Sequence, residues 1–354
     1  MSVEIASGGS SESAKAADPA PRSGPELIRA TKPYSEEDLG KTWRLFGVTW
    51  LVAAICVAIA ASPSWGPIRY LASAFFGLVI VRLFIFFHDA MHGAVFKKSK
   101  LGRKILEVYG HLILVPARVW KDSHNYHHAH NAKIVGASIG SYPVMTVRMW
   151  RRATPVQRFM YRMVRGPANM VLGYFTVFLM GMVIRPLIKN PARNRSAALS
   201  LVLHYGLLAA LVVTVGWETA FLTYLGPVML ACAAGSYLFY AQHNFPDAVI
   251  HDRRDWSYTD AAIHSSSMMT GGPLMRWLTG DIGYHHVHHL NSSIPFYRLE
   301  ETMDAIPELQ APGETSLSLS DMWKCFDLDL WDPDANRMVS IREAAEQPDW
   351  RTAI

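Results

Sequence analysis

The chain has 354 residues, half of them hydrophobic, with 34 Lys and Arg against 29 Asp and Glu. Its mean hydropathy of only +0.10 excludes a wholly membrane-embedded protein and predicts a few spanning helices joined to a large polar portion. The net charge of +5 comes without basic runs interleaved with aromatic residues, so nucleic acid is not expected as a partner. None of the three cysteines forms a CxxC pair, which excludes a disulfide framework and a zinc ribbon.

Residues 1–40 are rich in Ser, Gly, Ala and Pro and contain no apolar segment after a basic start. This composition predicts a disordered tail and not a secretory signal. Four later runs reach the roughly 20 apolar residues that a membrane-spanning helix needs. Short loops join them into two helical hairpins, with predicted spans at about 45–63, 68–87, 197–216 and 220–241.

Basic residues are concentrated outside the two hairpin loops, which carry only Arg69 and Glu218. They follow the second run and precede the third, as Lys97, Lys98, Lys100, Arg103, Lys104, Arg185, Lys189, Arg193 and Arg195. Because Lys and Arg accumulate on the cytoplasmic side, both termini and the long middle segment are predicted to be cytoplasmic.

Three further apolar features need an interpretation. The run at 169–188 is long enough to cross, but proline and arginine flank both of its ends, and we predict an interfacial or re-entrant segment. The run at 105–120 is too short to cross and is also predicted to be interfacial. Arg82 lies inside the second span, about 9 Å of helix rise from its cytoplasmic end, and is expected to extend towards the lipid headgroups.

Histidine is concentrated in three short clusters and one single position. The clusters read HDAMH, HNYHH and HHVHH, and their regularly spaced members are His88, His92, His124, His127, His128, His285, His288 and His289. The single residue, His243, directly follows the fourth predicted span. Since two crossings separate the first clusters from His243 and the last cluster, all of them share one side of the membrane. This parity is the reason why 169–188 is not expected to cross alone.

Imidazole is the commonest metal ligand and serves zinc, copper, iron and nickel. A structural zinc site is satisfied by four ligands, so nine histidines are too many for one ion and suit two ions with open positions. Copper stays possible, although no Met or Cys lies among the spaced histidines in a ligand pattern. The residues alone therefore predict a shared metal centre without fixing the metal.

These motifs resemble those of the membrane fatty acid desaturases, which are integral-membrane di-iron enzymes with three histidine boxes. The resembling stretches are HDAMHG at 88–93, HNYHHAHN at 124–131, AQHNFPDA at 241–248 and GDIGYHHVHHLNSSIPFYRL at 280–299. The last stretch is the most specific and is similar to bacterial and plant-type enzymes that act on lipid-bound acyl chains. The resemblance covers about residues 40–310, and it favours non-haem iron.

The resemblance implies a ligand set of nine residues: His88, His92, His124, His127, His128, His243, His285, His288 and His289. His130 and His286 are additional to the pattern, and Phe239 stands where animal acyl-CoA desaturases have a water-holding asparagine. Metal-bound imidazoles are usually oriented by an acceptor on the second ring nitrogen. Residues beside the boxes that are candidates for such a supporting role are Asp89, Asp122, Asp247, Asp281 and His286.

The implied fold is an all-α integral membrane protein with four transmembrane helices in two hairpins, interfacial helices and a cytoplasmic di-iron histidine cap. Its predicted parts are a tail at 1–40, a desaturase domain at 41–310 and a cytoplasmic C-terminal tail at 311–354. A bacterial inner membrane is the expected location.

The implied activity is O2-dependent introduction of a cis double bond into a membrane-lipid or thioester-linked acyl chain, with two Fe ions as cofactor. The chain carries no flavin, haem or iron–sulfur motif, so an external ferredoxin-like or cytochrome donor is expected. Delta-12 (omega-6) action is the favoured position. Hydroxylation, epoxidation or carotenoid oxygenation on the same scaffold is the nearest alternative, and a membrane metal transporter or sensor is the alternative from another class.

Overall fold

A computed structural model describes residues 21–134, 141–252 and 254–347. These residues are mostly helical. The α-helices are Gly24–Thr31, Leu39–Ala61, Ile68–His92, Lys100–Leu112, Ala117–His130, Val147–Arg152, Pro155–Arg165, Pro167–Val171, Arg185–Lys189, Arg195–Val215, Trp217–Ala220, Gly226–Ala241, Tyr258–His264, Pro273–Thr279, His285–Leu290, Leu299–Ala305, Leu319–Asp327 and Ile341–Glu346. Two π-helical segments are Tyr174–Ile184 and Phe221–Leu225, and short 3-10 turns are Lys32–Ser35, Pro63–Trp65, Phe296–Arg298 and Pro307–Leu309.

In the described part of the chain, four helices are long and apolar enough to cross a membrane. We call them the first to fourth span helices, in chain order Leu39–Ala61, Ile68–His92, Arg195–Val215 and Trp217–Ala241. The fourth is continuous through the π-helical turn. These helices coincide with the four predicted spans, because length and apolar composition are enough to specify them.

The second span helix is the centre of the fold. It packs along the first span helix on one side and along the fourth on another. It also continues five residues beyond the predicted end at 87 and stops at Gly93, which adopts the left-handed conformation that glycine favours (φ +74°). His88 and His92 therefore lie in the last turns of this helix, beyond the predicted span end at 87.

The two shorter apolar runs are interrupted helices. The run at 105–120 breaks at 113–116, where Leu114 has a positive φ of +61° and Pro116 precedes the next helix. The run at 169–188 forms the helix at 167–171, the π-helical segment and the helix at 185–189, and only a few of its side chains are buried. It is not one of the four span helices.

Two small sheets correct the expectation of an exclusively helical fold. Strand Met268–Thr270 pairs in parallel with Glu314–Ser316. Strand Leu330–Asp332 pairs in parallel with Met145–Thr146 and antiparallel with Arg337–Val339. Strands of two or three residues have too short a pattern to be recognised from alternating hydrophobicity.

Both predicted tails contain ordered chain. Within 21–40, the helix Gly24–Thr31 buries Leu27, and the Thr31 hydroxyl accepts a hydrogen bond from Asn291. Residues 311–347 pack on the body instead of extending from it, and Cys325 is fully buried. The first twenty residues and the last seven lie outside the described residues.

Arg165 connects the C-terminal segment to the body. Its side chain is buried and donates hydrogen bonds to the carbonyls of Pro143 and Leu328 and to the Asn244 side chain. Replacing Arg165 by leucine should lower the free energy of unfolding by about 3 kcal/mol, because the Pro143 carbonyl and the Asn244 side-chain oxygen lose a charged donor and the Leu328 carbonyl keeps only its bond from Asn244. Thermal unfolding in detergent tests this prediction, and exposed Arg162→Leu in the same helix should have a much smaller effect.

Candidate metal centre

The structure brings together all nine imidazoles of the ligand set implied by the sequence. They form two groups in which one possible ligand atom per residue lies within 4.8 Å of every other. The first group contains His88, His92, His124, His128 and His288, and the second contains His127, His243, His285 and His289. Most of these side chains are buried.

Each group draws on several elements. The helix Ala117–His130 places His124 and His128 on one face, since residues four apart lie one above the other. His127 projects from the same helix into the second group. The short helix His285–Leu290 is divided in the same way, with His288 in the first group and His285 and His289 in the second. The two groups are therefore neighbours, built on shared helices.

Nε2 atoms face one another in both groups. In the first group, His124 Nε2 lies 3.1 Å from the Nε2 atoms of both His88 and His128. In the second, His243 Nε2 lies 3.0 Å from those of both His127 and His285. Two nitrogens bound about 2.1 Å from one ion are about 3.0–3.5 Å apart at angles between 90° and tetrahedral. The observed distances fit a shared cation.

Hydrogen bonding at His243 supports the same conclusion. Its Nδ1 lies 3.0 Å from the carbonyl oxygen of Ser265, which can only accept, so Nδ1 carries the proton and Nε2 carries a lone pair. That single lone pair has two imidazole neighbours at equal distance, and it can accept a hydrogen bond from only one of them. A cation satisfies all three nitrogens at once. In the first group, the buried Nε2 of His92 has no hydrogen-bond partner among the described residues.

Burial keeps these imidazoles neutral. It lowers the pKa of His243 to about 4 and lowers the pKa values of His124, His127, His128, His285, His288 and His289 well below the ordinary value. Mutual repulsion between charged forms acts in the same direction. The neutral form is the one that binds a metal, so the donor set needs no deprotonation at neutral pH.

Asp89 is the acidic candidate that contacts a cluster imidazole. One of its carboxylate oxygens accepts a hydrogen bond from His88 Nδ1 at 2.9 Å, and the other accepts from the backbone N–H of Phe296 at 2.7 Å. Asp89 is 1% exposed, so both bonds are shielded from water. This arrangement leaves the Nε2 lone pair of His88 directed into the first group, and it connects the second span helix to the segment after the third box.

The other predicted supporting residues have different partners. Asp122 pairs with Arg193 at 2.6 Å and Asp281 with Arg276 at 2.7 Å, while Asp247 is exposed. His286 is fully buried and donates from Nε2 to the carbonyl of Leu309, away from both groups. The additional His130 stacks on Tyr126, with 3.9 Å between ring centroids.

Two contacts could not be read from the sequence. Ser141 Oγ lies 2.6 Å from His127 Nδ1, and the Ser265 carbonyl orients His243 as described above. Trp120 stacks on His124 with 4.2 Å between centroids and also contacts the rings of His88 and His92. An apolar tryptophan four residues before a histidine is a detectable helical spacing. The two polar contacts come from residues 14 and 22 positions away, which no helical spacing links to their histidines.

A largely apolar cavity of about 1440 Å³ reaches the two histidine groups. His88, His124 and His285 line one part of it, and Phe84 and Phe178 line another. Its lining also includes basic residues of the 185–194 segment. The ring centroid of Phe239 lies 5.0 Å from that of His127 and 5.5 Å from that of His243. An apolar side chain therefore occupies this side of the second group.

The cavity and the metal centre agree with comparisons to known proteins. The family model for fatty acid desaturase matches residues 49–318. A protein of Bacillus subtilis named fatty acid desaturase is 33% identical over 274 residues, which is 76% of each chain. An sn-1 oleoyl-lipid 12-desaturase of Synechocystis is 23% identical over 67% of each chain.

A further relative from Synechocystis is named sn-1 acyl-lipid omega-3 desaturase (ferredoxin), with 25% identity over 79% of this chain and 78% of its own. The family match spans most of the chain and includes every histidine of the two groups. With its four apolar helices and buried histidine clusters, the chain is a membrane protein and an oxidoreductase that belongs to the fatty acid desaturase family.

Proposed function

We propose that the protein is an O2-dependent desaturase that introduces a cis double bond into an acyl chain of a membrane lipid. The observation that carries this proposal is the apolar cavity that histidines of both facing imidazole groups line. An unactivated methylene pair has no proton that a side chain can remove at neutral pH, so the reaction needs an oxidising cofactor. A long hydrocarbon chain is the ligand that such a cavity suits.

The cofactor that we propose is two non-haem iron ions, one in each histidine group. The nine residues of the ligand set would hold them, with five histidines available to one ion and four to the other. Bound iron would supply the O2-dependent oxidation that removes two hydrogens from the acyl chain. With five and four histidines available, each proposed iron ion would keep at least one coordination position that no protein atom fills.

The protein's own residues position the chain and the ligands. Phe84 and Phe178 line the cavity and would orient the hydrocarbon by apolar contact. Trp120 and Phe239 cover parts of the two groups with aromatic rings, which excludes water from the imidazoles. Asp89 and the Ser265 carbonyl hold their histidines in the tautomer that directs Nε2 inward.

The membrane arrangement that we propose has two helical hairpins and a cytoplasmic cap. Short connections at 62–67 and 216 join the first pair and the last pair of span helices. With an even number of crossings and basic residues beyond the hairpins, both termini and the metal centre lie in the cytoplasm. We propose residues 41–310 as the desaturase domain and a bacterial inner membrane as its location.

Electrons would come from an external carrier of ferredoxin-like or cytochrome type. Relatives at 25% identity carry ferredoxin in their names, which supports this class of donor. The basic residues Lys97, Lys98 and Lys100 lie on the proposed cytoplasmic side and could steer an acidic carrier. The substrate would be an acyl chain on a membrane lipid, and a thioester-linked acyl chain is the alternative substrate.

We propose delta-12 (omega-6) action for the double-bond position. The sequence around the third box favours it, and the name of one relative specifies an oleoyl-lipid 12-desaturase. Others are named omega-3 desaturases, so the position has to be measured directly.

The deciding experiment is a fatty acid profile by gas chromatography and mass spectrometry. A bacterial host that makes or takes up oleate would express the wild type or His288→Ala at equal membrane levels, together with a ferredoxin and its reductase. We expect a new diunsaturated acyl species in the wild type only, with its second bond located by derivatisation. A hydroxy or epoxy product would overturn desaturation, and a new bond at another carbon would overturn the delta-12 assignment alone.

A further inference from the structure

Arg82 is a buried charge in the second span helix, and protein groups of neighbouring segments enclose its side chain. Its side chain is 3% exposed, and its Nε donates a hydrogen bond to the Thr49 hydroxyl at 3.0 Å. Nη1 donates to the backbone carbonyl of Trp277, and the guanidinium lies 4.6 Å from the centroid of the Trp277 ring. The expected extension towards the headgroups is therefore wrong.

Trp277 belongs to the segment that leads into the third histidine box. The helix Pro273–Thr279 packs against the second span helix, and it ends at Thr279. Gly280 and Asp281 follow in the left-handed conformation, with φ of +56° and +52°, and turn the chain towards His285. A positive φ at a non-glycine residue costs free energy, so surrounding contacts must hold this turn in place.

The turn lies directly against the second span helix. A Cβ atom at Gly280 would approach Ile85 Cγ2 to 3.0 Å, which is closer than ordinary packing. Ile85 is one turn before His88 on that helix. Arg82 and Ile85 therefore both contact the chain just before the third box, Arg82 at Trp277 and Ile85 at Gly280.

The second span helix also contacts the segment that follows the third box. The N–H of Phe296 donates to Asp89, and Phe296 lies under the Arg82 guanidinium at 5.6 Å. Box three is consequently fixed to the second span helix before His285 and after His289. Since His88 and His92 are on that helix, these two attachments set the position of the third box relative to the first.

We infer that Arg82 is a positioning residue that holds the start of the third histidine box against the second span helix. It thereby sets His285, His288 and His289 against the histidines of the other boxes, an inference that rests on the proposed metal centre. Arginine suits this role because its planar fork can donate to two acceptors while its faces contact aromatic rings. A guanidinium does not deprotonate in proteins, so Arg82 is not a proton relay.

Arg69 provides a matched control. It is a second buried arginine on the same helix, 6% exposed, with Nε bonded to the Ala60 carbonyl at 2.9 Å. It pairs with Glu218 near the opposite end of the span helices, and its hydrogen-bond partners among the described residues, Ala60, Glu218 and Thr219, lie outside the histidine boxes. Removing Arg69 therefore tests the cost of losing a buried arginine without disturbing the third box.

The experiment compares purified wild type, Arg82→Met and Arg69→Met in detergent. One readout is iron per chain after dialysis against a weak chelator. The other is amide hydrogen exchange of peptides that cover 277–290 in metal-free protein, which needs no activity. We expect Arg82→Met to retain iron about tenfold more weakly and to exchange faster in these peptides only, while Arg69→Met matches the wild type in both.

Each outcome decides the inference. Wild-type iron retention and exchange in Arg82→Met would overturn it, and so would an equal loss in both variants. If Arg82→Met does not insert, Arg82→Lys replaces it, with Arg69→Lys as control, and an intermediate iron retention in Arg82→Lys alone is the supporting result. A wild type that binds no metal would instead overturn the proposed function, whatever the exchange data show.

Discussion

His124→Ala and His127→Ala should each abolish desaturation and each remove one of the two proposed metal ions. The two residues are on the same helix, three positions apart, but belong to different groups. Iron per chain should therefore fall from about two to about one in either variant, and to about zero in the double variant. Desaturated product should fall at least about 100-fold, since loss of a residue that merely supports a ligand already costs 10–100-fold.

His130→Ala is the control for this pair. It lies on the same helix, stacks on Tyr126 and is outside both groups, so iron content and product should equal those of the wild type. Iron measured by plasma mass spectrometry on protein of equal purity is the readout. If His124→Ala and His127→Ala each lost all iron, the two ions would not bind independently. If neither lost any, the assignment of these ligands would be wrong.

The histidine positions were predictable because their spacing has a direct physical meaning. An i, i+4 pair lies on one helix face, and the parity of the spans requires His243 and the third cluster to share a side with the first two. Spacing and span parity therefore predict, without a structure, that the nine imidazoles lie together. They do not predict the division into two groups. That division depends on the helix Ala117–His130, from which His127 projects into one group and His128 into the other.

The contacts that hold the histidines were mostly not predictable. Proximity in sequence suggested Asp122 and Asp281 as acceptors, but each has an arginine close enough to form an ion pair instead. The observed partners of His127 and His243 are Ser141 and the backbone of Ser265, which lie 14 and 22 residues further along the chain, outside regular helices. Such long-range pairs leave no periodic signal in one sequence.

The C-terminal segment shows a similar limit. Its polar composition suggested a tail, although Leu330 and Cys325 are fully buried and Arg165 and Asn244 bond to its backbone carbonyls. Sequence composition reports how much apolar surface a segment can bury but not whether another part of the chain supplies the partners. The small sheet at 330–339 depends on Met145–Thr146, which lies almost two hundred residues earlier.

Asp89→Asn should weaken metal binding by about 10–100-fold with little change in the amount of folded protein. The carboxylate accepts from His88 Nδ1 with one oxygen and from the Phe296 N–H with the other. An asparagine of the same size can accept at one of these places but presents an N–H group at the other. It must therefore give up either the orientation of His88 or the attachment after the third box.

Asp89 has two roles, since it accepts from His88 and from Phe296, and the metal content of Asp89→Asn shows which of the two donors has lost its acceptor. If His88 loses it, weaker binding is confined to the ion held by the first group, and iron per chain should approach one under mild chelation. If Phe296 loses it, the third box moves, and since that box contributes to both groups, both ions should bind more weakly. Asp122→Asn is the control, because Asp122 is half exposed and pairs with Arg193. Equal iron retention in Asp89→Asn and wild type would show that His88 needs no carboxylate to bind metal.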